Sequence, residues 1–160
     1  MKSISTLVTF LLATVLCFAQ PTITQSVLLQ QGDTGEVQRF AQSIANFNPG
    51  PKGSNVTWDF SSATAIGDRF AWKSLDPATT AFTDSFPTAT LAYAVTDDTT
   101  KFTNYYRHDA NGLDLLGSIG ELGAIDTFVY NFNQNSQMEV RTPVTYNDVF
   151  QDTASGFAKV

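Results

Sequence analysis

The residues of this chain that suit catalysis are few, and each has a simpler structural explanation. Asp33-Thr34-Gly35 matches the tripeptide of aspartic proteases, in which two such carboxylates share one proton and activate water. No second copy occurs, so only a homodimer would complete the pair, and we interpret the tripeptide as a turn. His108 is the only histidine, so a Ser-His-Asp triad would have to use it. Its charged neighbours Arg107 and Asp109 favour a strand-end position instead. We therefore predict no catalytic residue.

A second pattern suits a hard cation. Asp109, Asn111 and Asp114 place oxygen ligands around a predicted turn, as a calcium ion requires. The likeness to an EF-hand loop is loose, because Gly112 falls at the fourth position and no glutamate closes the loop. Asp and Asn also favour turns by bonding to their own backbone, so we predict no cofactor and keep bound calcium as the alternative. Zinc is disfavoured, since the single cysteine, Cys17, lies in a segment that we expect to be removed.

Ligand binding is a third possibility, and it rests on consecutive residues of one predicted strand. Tyr105, Tyr106, Arg107 and His108 combine aromatic rings with hydrogen-bonding groups, which suits a glycan or a surface protein as partner. By alternation, Tyr105 lies on the face opposite Phe102. We expect Tyr105 to be the most exposed of the aromatic candidates.

The elements that must position these residues are predicted to be β-strands. After the N-terminal apolar run, apolar residues alternate with a period of two and are interrupted by turn residues at intervals of about ten positions. Asn111-Gly112 is the strongest hairpin signal, and a turn with two prolines and two glycines at 48–53 leads into a short strand. The predicted strands are 22–29, 37–44, 56–60, 69–73, 90–95, 101–108, 113–116, 124–132, 138–145 and 149–153, with a crossing loop at 75–87, a helical turn near 77–80 and a polar turn at 133–137.

We therefore predict a mostly β fold built as an antiparallel meander. It forms either a curved open sheet that approaches a half-barrel or a two-layer β-sandwich. Residues 20–160 are long enough for a single domain with a core. Because residues 152–160 resemble the middle of a strand, the domain is predicted to be incomplete at its C-terminus. A natural end with a frayed last strand is the alternative.

The N-terminus predicts export. Lys2 is followed by an apolar run from Ile4 to Phe18 and then by Ala19, which is the order of a secretory signal peptide, and we place cleavage after Ala19. The run is too short for a comfortable transmembrane helix, and a lipid-modified Cys17 is the alternative processing. The formal net charge is −6 and no basic cluster occurs, so nucleic acid and anionic membrane surfaces are disfavoured as partners.

Several stretches of the chain together carry a family resemblance. They are Phe18-Ala19-Gln20 followed by 21–24, the turn and strand at 48–61, Asp76-Pro77 with Phe82, 86–92, 111–117 and 143–148. In these stretches the chain resembles a family of secreted proteins from bacteria that use the type IX secretion system. The resemblance implies an N-terminal β domain, further strands and a C-terminal sorting domain, of which the last two are expected to be missing here, and it implies no chemistry.

The sequence favours a non-catalytic, exported β module with a binding or structural role at the cell surface or outside the cell. Two alternatives stay open. One is a secreted, glycan-directed hydrolase, which would require two carboxylates within about 5–10 Å in a cleft. The other is a carrier of an apolar ligand, which would require a dry cavity lined by Phe128, Tyr130 and Phe132 on a concave sheet face.

Overall fold

The computed structural model describes residues 22–38, 56–57, 64–67, 69–96, 100–122 and 126–160. Short 3-10 helices lie at Gln25–Val27, Pro77–Thr79 and Thr83–Ser85. The strands are β1 (Thr34–Val37), β2 (Phe70–Leu75), β3 (Leu91–Thr96), β4 (Thr100–Asp109), β5 (Gly112–Leu122), β6 (Asp126–Asn135), β7 (Gln137–Arg141) and β8 (Ser155–Lys159).

These strands form one antiparallel sheet that is open at its edges. Each strand from β1 to β5 pairs with the next one along the chain, β6 pairs with β8, and β7 pairs with β5 beside β6. The prediction of a mostly β, antiparallel meander is confirmed, and the sheet agrees with the curved open form of that prediction. In the described residues the strands lie in a single sheet, and not in the two layers of a sandwich.

The pairing register separates the residues of the sheet into two faces. Tyr105 lies opposite Ala92 on β3, and Ile119 of β5 lies opposite Val129 on β6. A bulge at Leu116 shifts the register between β4 and β5. The side of the sheet on which Tyr105 and Ile119 lie is called the loop-covered face. Its core consists of Phe86, Ala92, Tyr105, Leu116 and Ile119.

The segment between β2 and β3 covers this face. Asp76 caps the helix at Pro77–Thr79 by accepting a hydrogen bond from the amide of Ala78 at 2.9 Å. Phe82 and Phe86 from the same segment pack on the core. At its end, Thr90 donates its amide to the carbonyl oxygen of Tyr106 at 2.8 Å. The predicted crossing loop with a helical turn is therefore confirmed, and it holds two 3-10 helices where one turn was predicted.

The opposite side, which we call the aromatic face, presents aromatic rings from successive strands. Trp72 lies 5.5 Å from Tyr93, and Phe128 lies 5.4 Å from Tyr130, measured between ring centroids. Leu28 and Leu29 pack at one end of this face, on a core that contains Leu91, Tyr106, Leu113 and Leu115.

Two predicted strands are wrong. Residues 22–29 form the helix at Gln25–Val27 and a single bridge between Ile23 and Val144, because that segment has no further strand to pair with among the described residues. Residues 149–153 are an exposed connection, and the last strand begins at Ser155. The predicted turn and strand at 48–60 lie outside the described residues except for Val56 and Thr57, and most of the predicted strand at 37–44 lies outside them too.

The hairpin between β4 and β5 is confirmed with its turn shifted by one residue. Asp109 pairs with Gly112, so the loop consists of Ala110 and Asn111. Gly112 has a φ of 139°, a conformation that glycine adopts without a steric cost. Over the described residues no helix is long or apolar enough to cross a membrane.

Candidate binding cleft

A detour of the chain between β6 and β7 builds one wall of a surface cleft. β6 pairs with β5 as far as Asn131 opposite Gly117, and β7 resumes pairing on the same edge at Gln137 opposite Leu115. On β5 only Leu116 separates these two pairs. Residues 132–136 therefore have no residues of β5 to pair with, and they loop away from β5. A cleft opens beside this detour on the loop-covered face.

The cleft has a volume of about 470 Å³, which lies in the range of small-molecule sites. Most residues that line it carry amide, hydroxyl or aromatic groups, and none of them carries a carboxylate. They are residues 85–88 from the segment over the sheet, Arg107 from β4, Leu116 from β5, and residues 131–136.

The first wall is fixed to the sheet by the ring of Phe86. Phe86 is 3% exposed and stacks on Tyr105 with ring centroids 4.4 Å apart and planes 14° apart. The hydroxyl of Tyr105 donates to the hydroxyl oxygen of Thr80 at 2.8 Å. The side-chain amide of Asn131 donates to the carbonyl oxygen of Ser85 at 3.0 Å and so joins the two walls at one end.

The second wall is the detour itself, which is held at its far end. The side-chain amide of Asn135 donates to the carbonyl oxygen of Thr153, and Asp152 accepts the backbone amide of Met138 at 2.6 Å. Between these anchors, Asn133 and Gln134 are exposed and line the cleft. Their amide groups are therefore available to donate to and accept from a ligand.

Arg107 lies at one side of the cleft, between two carboxylates. Its Nη2 donates to the carboxylate of Asp114, and its Nε lies 3.7 Å from Oδ2 of Asp109. The same Nη2 lies 3.5 Å from the hydroxyl of Ser136, which belongs to the detour. The Asp114 side chain is only 12% exposed, so this pair is shielded from solvent more than the others on the sheet. The contacts fix the guanidinium in place.

The other predicted ligand residues serve the core. Tyr105 lies on the other face of the sheet from Phe102, as predicted. The prediction that Tyr105 is exposed is wrong. Its side chain is 1% exposed, because the segment between β2 and β3 covers that face. Tyr106 is buried on the aromatic face. His108 is half-buried, and its backbone amide donates to the hydroxyl of Thr90 at 2.7 Å. Of the four residues, Arg107 is the one that lines the cleft.

Tyr106 belongs to a chain of polar groups on the aromatic face. The hydroxyl of Ser118 donates to the side-chain oxygen of Asn104 at 2.7 Å, and the amide of Asn104 donates to the Tyr106 hydroxyl oxygen at 3.1 Å. Burial, followed by the negative charge of Glu139, raises the pKa of Tyr106 to about 12. Burial also raises the pKa of Glu139, and its hydrogen bond to Tyr106 opposes that rise.

This shift predicts a loss of stability in alkali that depends on Tyr106. Below pH 10 its hydroxyl is protonated in both states, and between pH 10 and about 12 the unfolded chain loses the proton first. The unfolding free energy should therefore fall by roughly 2–3 kcal/mol through this window, and the fall should be smaller in Tyr106→Phe. Tyr146→Phe, which changes an exposed ring, is the control for urea unfolding measured at several pH values. An identical pH dependence in Tyr106→Phe and the parent would contradict this assignment.

The predicted calcium ligands are engaged with protein groups. Asp109 accepts the backbone amide of Asn111 at 2.7 Å, as in an Asx turn, and Asp109 and Asp114 both lie against Arg107. Within the described ranges, no three His, Cys, Asp or Glu side chains converge as metal ligands would. Calcium binding stays a prediction. Asp33 likewise accepts the amide of Gln30 at 2.8 Å, in a turn before β1.

Most of the residues that line the cleft were not among the sequence-based candidates. The signal for them was the run from Asn131 to Gln137, in which amide side chains surround Phe132. We interpreted most of this run as a polar turn, since Asn and Ser favour turns. Their role as a wall depends on residues 85–88, and the hydrogen bond between Asn131 and Ser85 spans 46 positions of the chain. No protein-family model, curated protein or solved structure matches this chain.

Proposed function

We propose that this chain is an exported, non-catalytic β module that binds a glycan in the cleft between residues 85–88 and the detour at 132–136. The observation that carries the proposal is the composition of the cleft, in which most of the described lining residues carry amides or hydroxyls, beside one arginine and no carboxylate. Export is proposed from the signal peptide predicted at 1–19, and type IX secretion from the family resemblance.

The chemistry of the cleft suits a sugar. Asn and Gln side chains both donate and accept hydrogen bonds, as the hydroxyl groups of a sugar do. Phe86 and Phe132 border the cleft, but Phe86 is only 3% exposed and Phe132 packs on the core of the aromatic face, so the amide and hydroxyl groups carry the recognition. The walls are anchored through Asn131 and Asn135, so the binding groups are arranged before a ligand arrives.

The same geometry favours binding over hydrolysis. Glycoside hydrolysis uses two carboxylates on either side of the scissile bond. Near the cleft, the carboxylates of Asp109 and Asp114 lie against Arg107 and do not line the cleft. The carrier alternative requires a dry cavity that encloses Tyr130. Tyr130 is instead 47% exposed on the aromatic face, which disfavours a carrier.

The test removes the two free amides of the detour. In the double variant Asn133→Ala/Gln134→Ala, the loss of two hydrogen-bonding side chains should weaken glycan binding by about tenfold or more. The probes are cello-, xylo-, manno- and galactohexaose, each titrated by calorimetry. Because both residues are exposed, the urea midpoint should stay within the error of the parent protein.

Gln137→Ala is the matched control, because it removes an exposed amide from β7 that does not line the cleft. Its affinity should equal that of the parent. The proposal is contradicted if none of the hexaoses binds, or if the double variant binds as tightly as the control.

A further inference from the structure

The charges around Arg107 carry an inference about which glycans the cleft accepts, and it rests on the proposed function. Among the described residues that line the cleft, Arg107 alone is charged. A lone arginine in such a place would attract a uronate or a sulfate group, with which it forms paired hydrogen bonds. Here, however, the guanidinium is already paired with Asp114 and flanked by Asp109.

We propose that the cleft selects uncharged glycans and rejects acidic ones, and that Asp109 and Asp114 set this selection. The three side chains together carry a formal charge of −1, since two carboxylates surround one guanidinium. An incoming carboxylate must compete with Asp114 for the same N–H groups and meets a net negative charge. A neutral hydroxyl group meets neither obstacle.

The pairing also gives Arg107 a positioning role. Contacts of Nη2 with Asp114 and Ser136 and of Nε with Asp109 hold the guanidinium at two of its nitrogens. The side chain remains 42% exposed, so part of it stays open to a ligand. A fixed guanidinium can donate to a neutral hydroxyl without a further loss of side-chain freedom. Arg107 is thus suited to orient a neutral sugar, although its charge alone suggests an acidic one.

The experiment compares matched neutral and acidic sugars. Cello-, manno- and galactohexaose are each titrated beside the same hexaose oxidised at C6 to the uronate, at low ionic strength, where charge effects are largest. The parent protein should bind the neutral form about tenfold more tightly or better, and added salt should reduce that ratio.

Asp109→Asn tests the origin of the selection. The asparagine keeps a side-chain oxygen for the amide of Asn111 and removes one negative charge. The ratio of neutral to acidic affinity should fall by about threefold or more. Glu36→Gln is the control, because it removes the same charge from β1, and its ratio should be unchanged. Circular dichroism verifies that each variant is folded.

The possible failures are distinct. Tighter binding of the uronate by the parent protein overturns this inference and leaves glycan binding intact. An unchanged ratio in Asp109→Asn also overturns it, because the selection would then arise elsewhere. Binding of neither form overturns the glycan assignment and the inference with it.

Discussion

Replacing Phe86 with alanine should lower the unfolding free energy by about 3–5 kcal/mol, as is typical for a buried phenylalanine. Phe86 is 3% exposed, stacks on Tyr105 and packs in the core of the loop-covered face. Its loss leaves a cavity under the segment between β2 and β3 and removes one ring from the cleft. Urea unfolding followed by fluorescence measures the first effect, and calorimetric titration with the neutral hexaoses measures the second.

Two control variants show whether the loss of stability comes from the buried ring of Phe86 or from any truncation of a side chain. Phe86→Leu keeps most of the buried volume, so it should cost less than the alanine variant while it removes the flat ring. Val149→Ala truncates a side chain that is 88% exposed and should leave the urea midpoint unchanged. If Phe86→Ala is as stable as Val149→Ala, the segment over the sheet does not contribute to the core as described.

Gly117→Ala should have the second large effect. A Cβ atom at Gly117 would overlap the carbonyl oxygen of Tyr130 and the ring of Phe86. The carbonyl belongs to the neighbouring strand β6 and cannot rotate away, so β6 must move relative to β5 next to the detour. We expect a cost of about 1–3 kcal/mol, as for overpacked cores, together with weaker binding of the neutral hexaoses.

Gly120→Ala is the matched comparison on the same strand. The atoms nearest to a Cβ there belong to the ring of Phe128, which is half-buried on the aromatic face. A side chain of this kind can turn aside at lower cost than a backbone, so Gly120→Ala should be less destabilising and should leave binding unchanged. If the two variants cost the same in urea unfolding, the close approach of β5 and β6 at Gly117 is not the constraint that we describe.

The sequence predicted β3 and β4 well, because their apolar alternation is sustained and turn residues bound them. The predicted strand at 113–116 covers only the first part of β5, which continues through Gly117 and Gly120 to Leu122. The errors at 22–29 and 149–153 have a common cause: alternation shows that a segment is able to form a strand, but a strand also requires a partner edge. The segment at 22–29 pairs only through the bridge at Ile23. The segment at 149–153 has no partner strand among the described residues.

The site was harder to predict, because it joins segments that are distant in the sequence. Alternation placed Tyr105 on the correct face, but burial of that face depends on Phe86 and Phe82, which lie about twenty positions earlier. The detour follows from a mismatch in length between β5 and the chain after Asn131, and no local pattern encodes such a mismatch. Arg107 was found because it stands in a run of ligand-type residues, although its two carboxylate partners were assigned to calcium.

A nuclear magnetic resonance titration with a neutral hexaose tests the central claim most directly. Shifts should concentrate in the backbone amides of residues 85–88 and 131–136 and of Arg107, and in the side-chain amides of Asn133 and Gln134. Shifts centred on Trp72, Phe128 and Tyr130 of the aromatic face, or no shifts with any of the four hexaoses, would contradict the account.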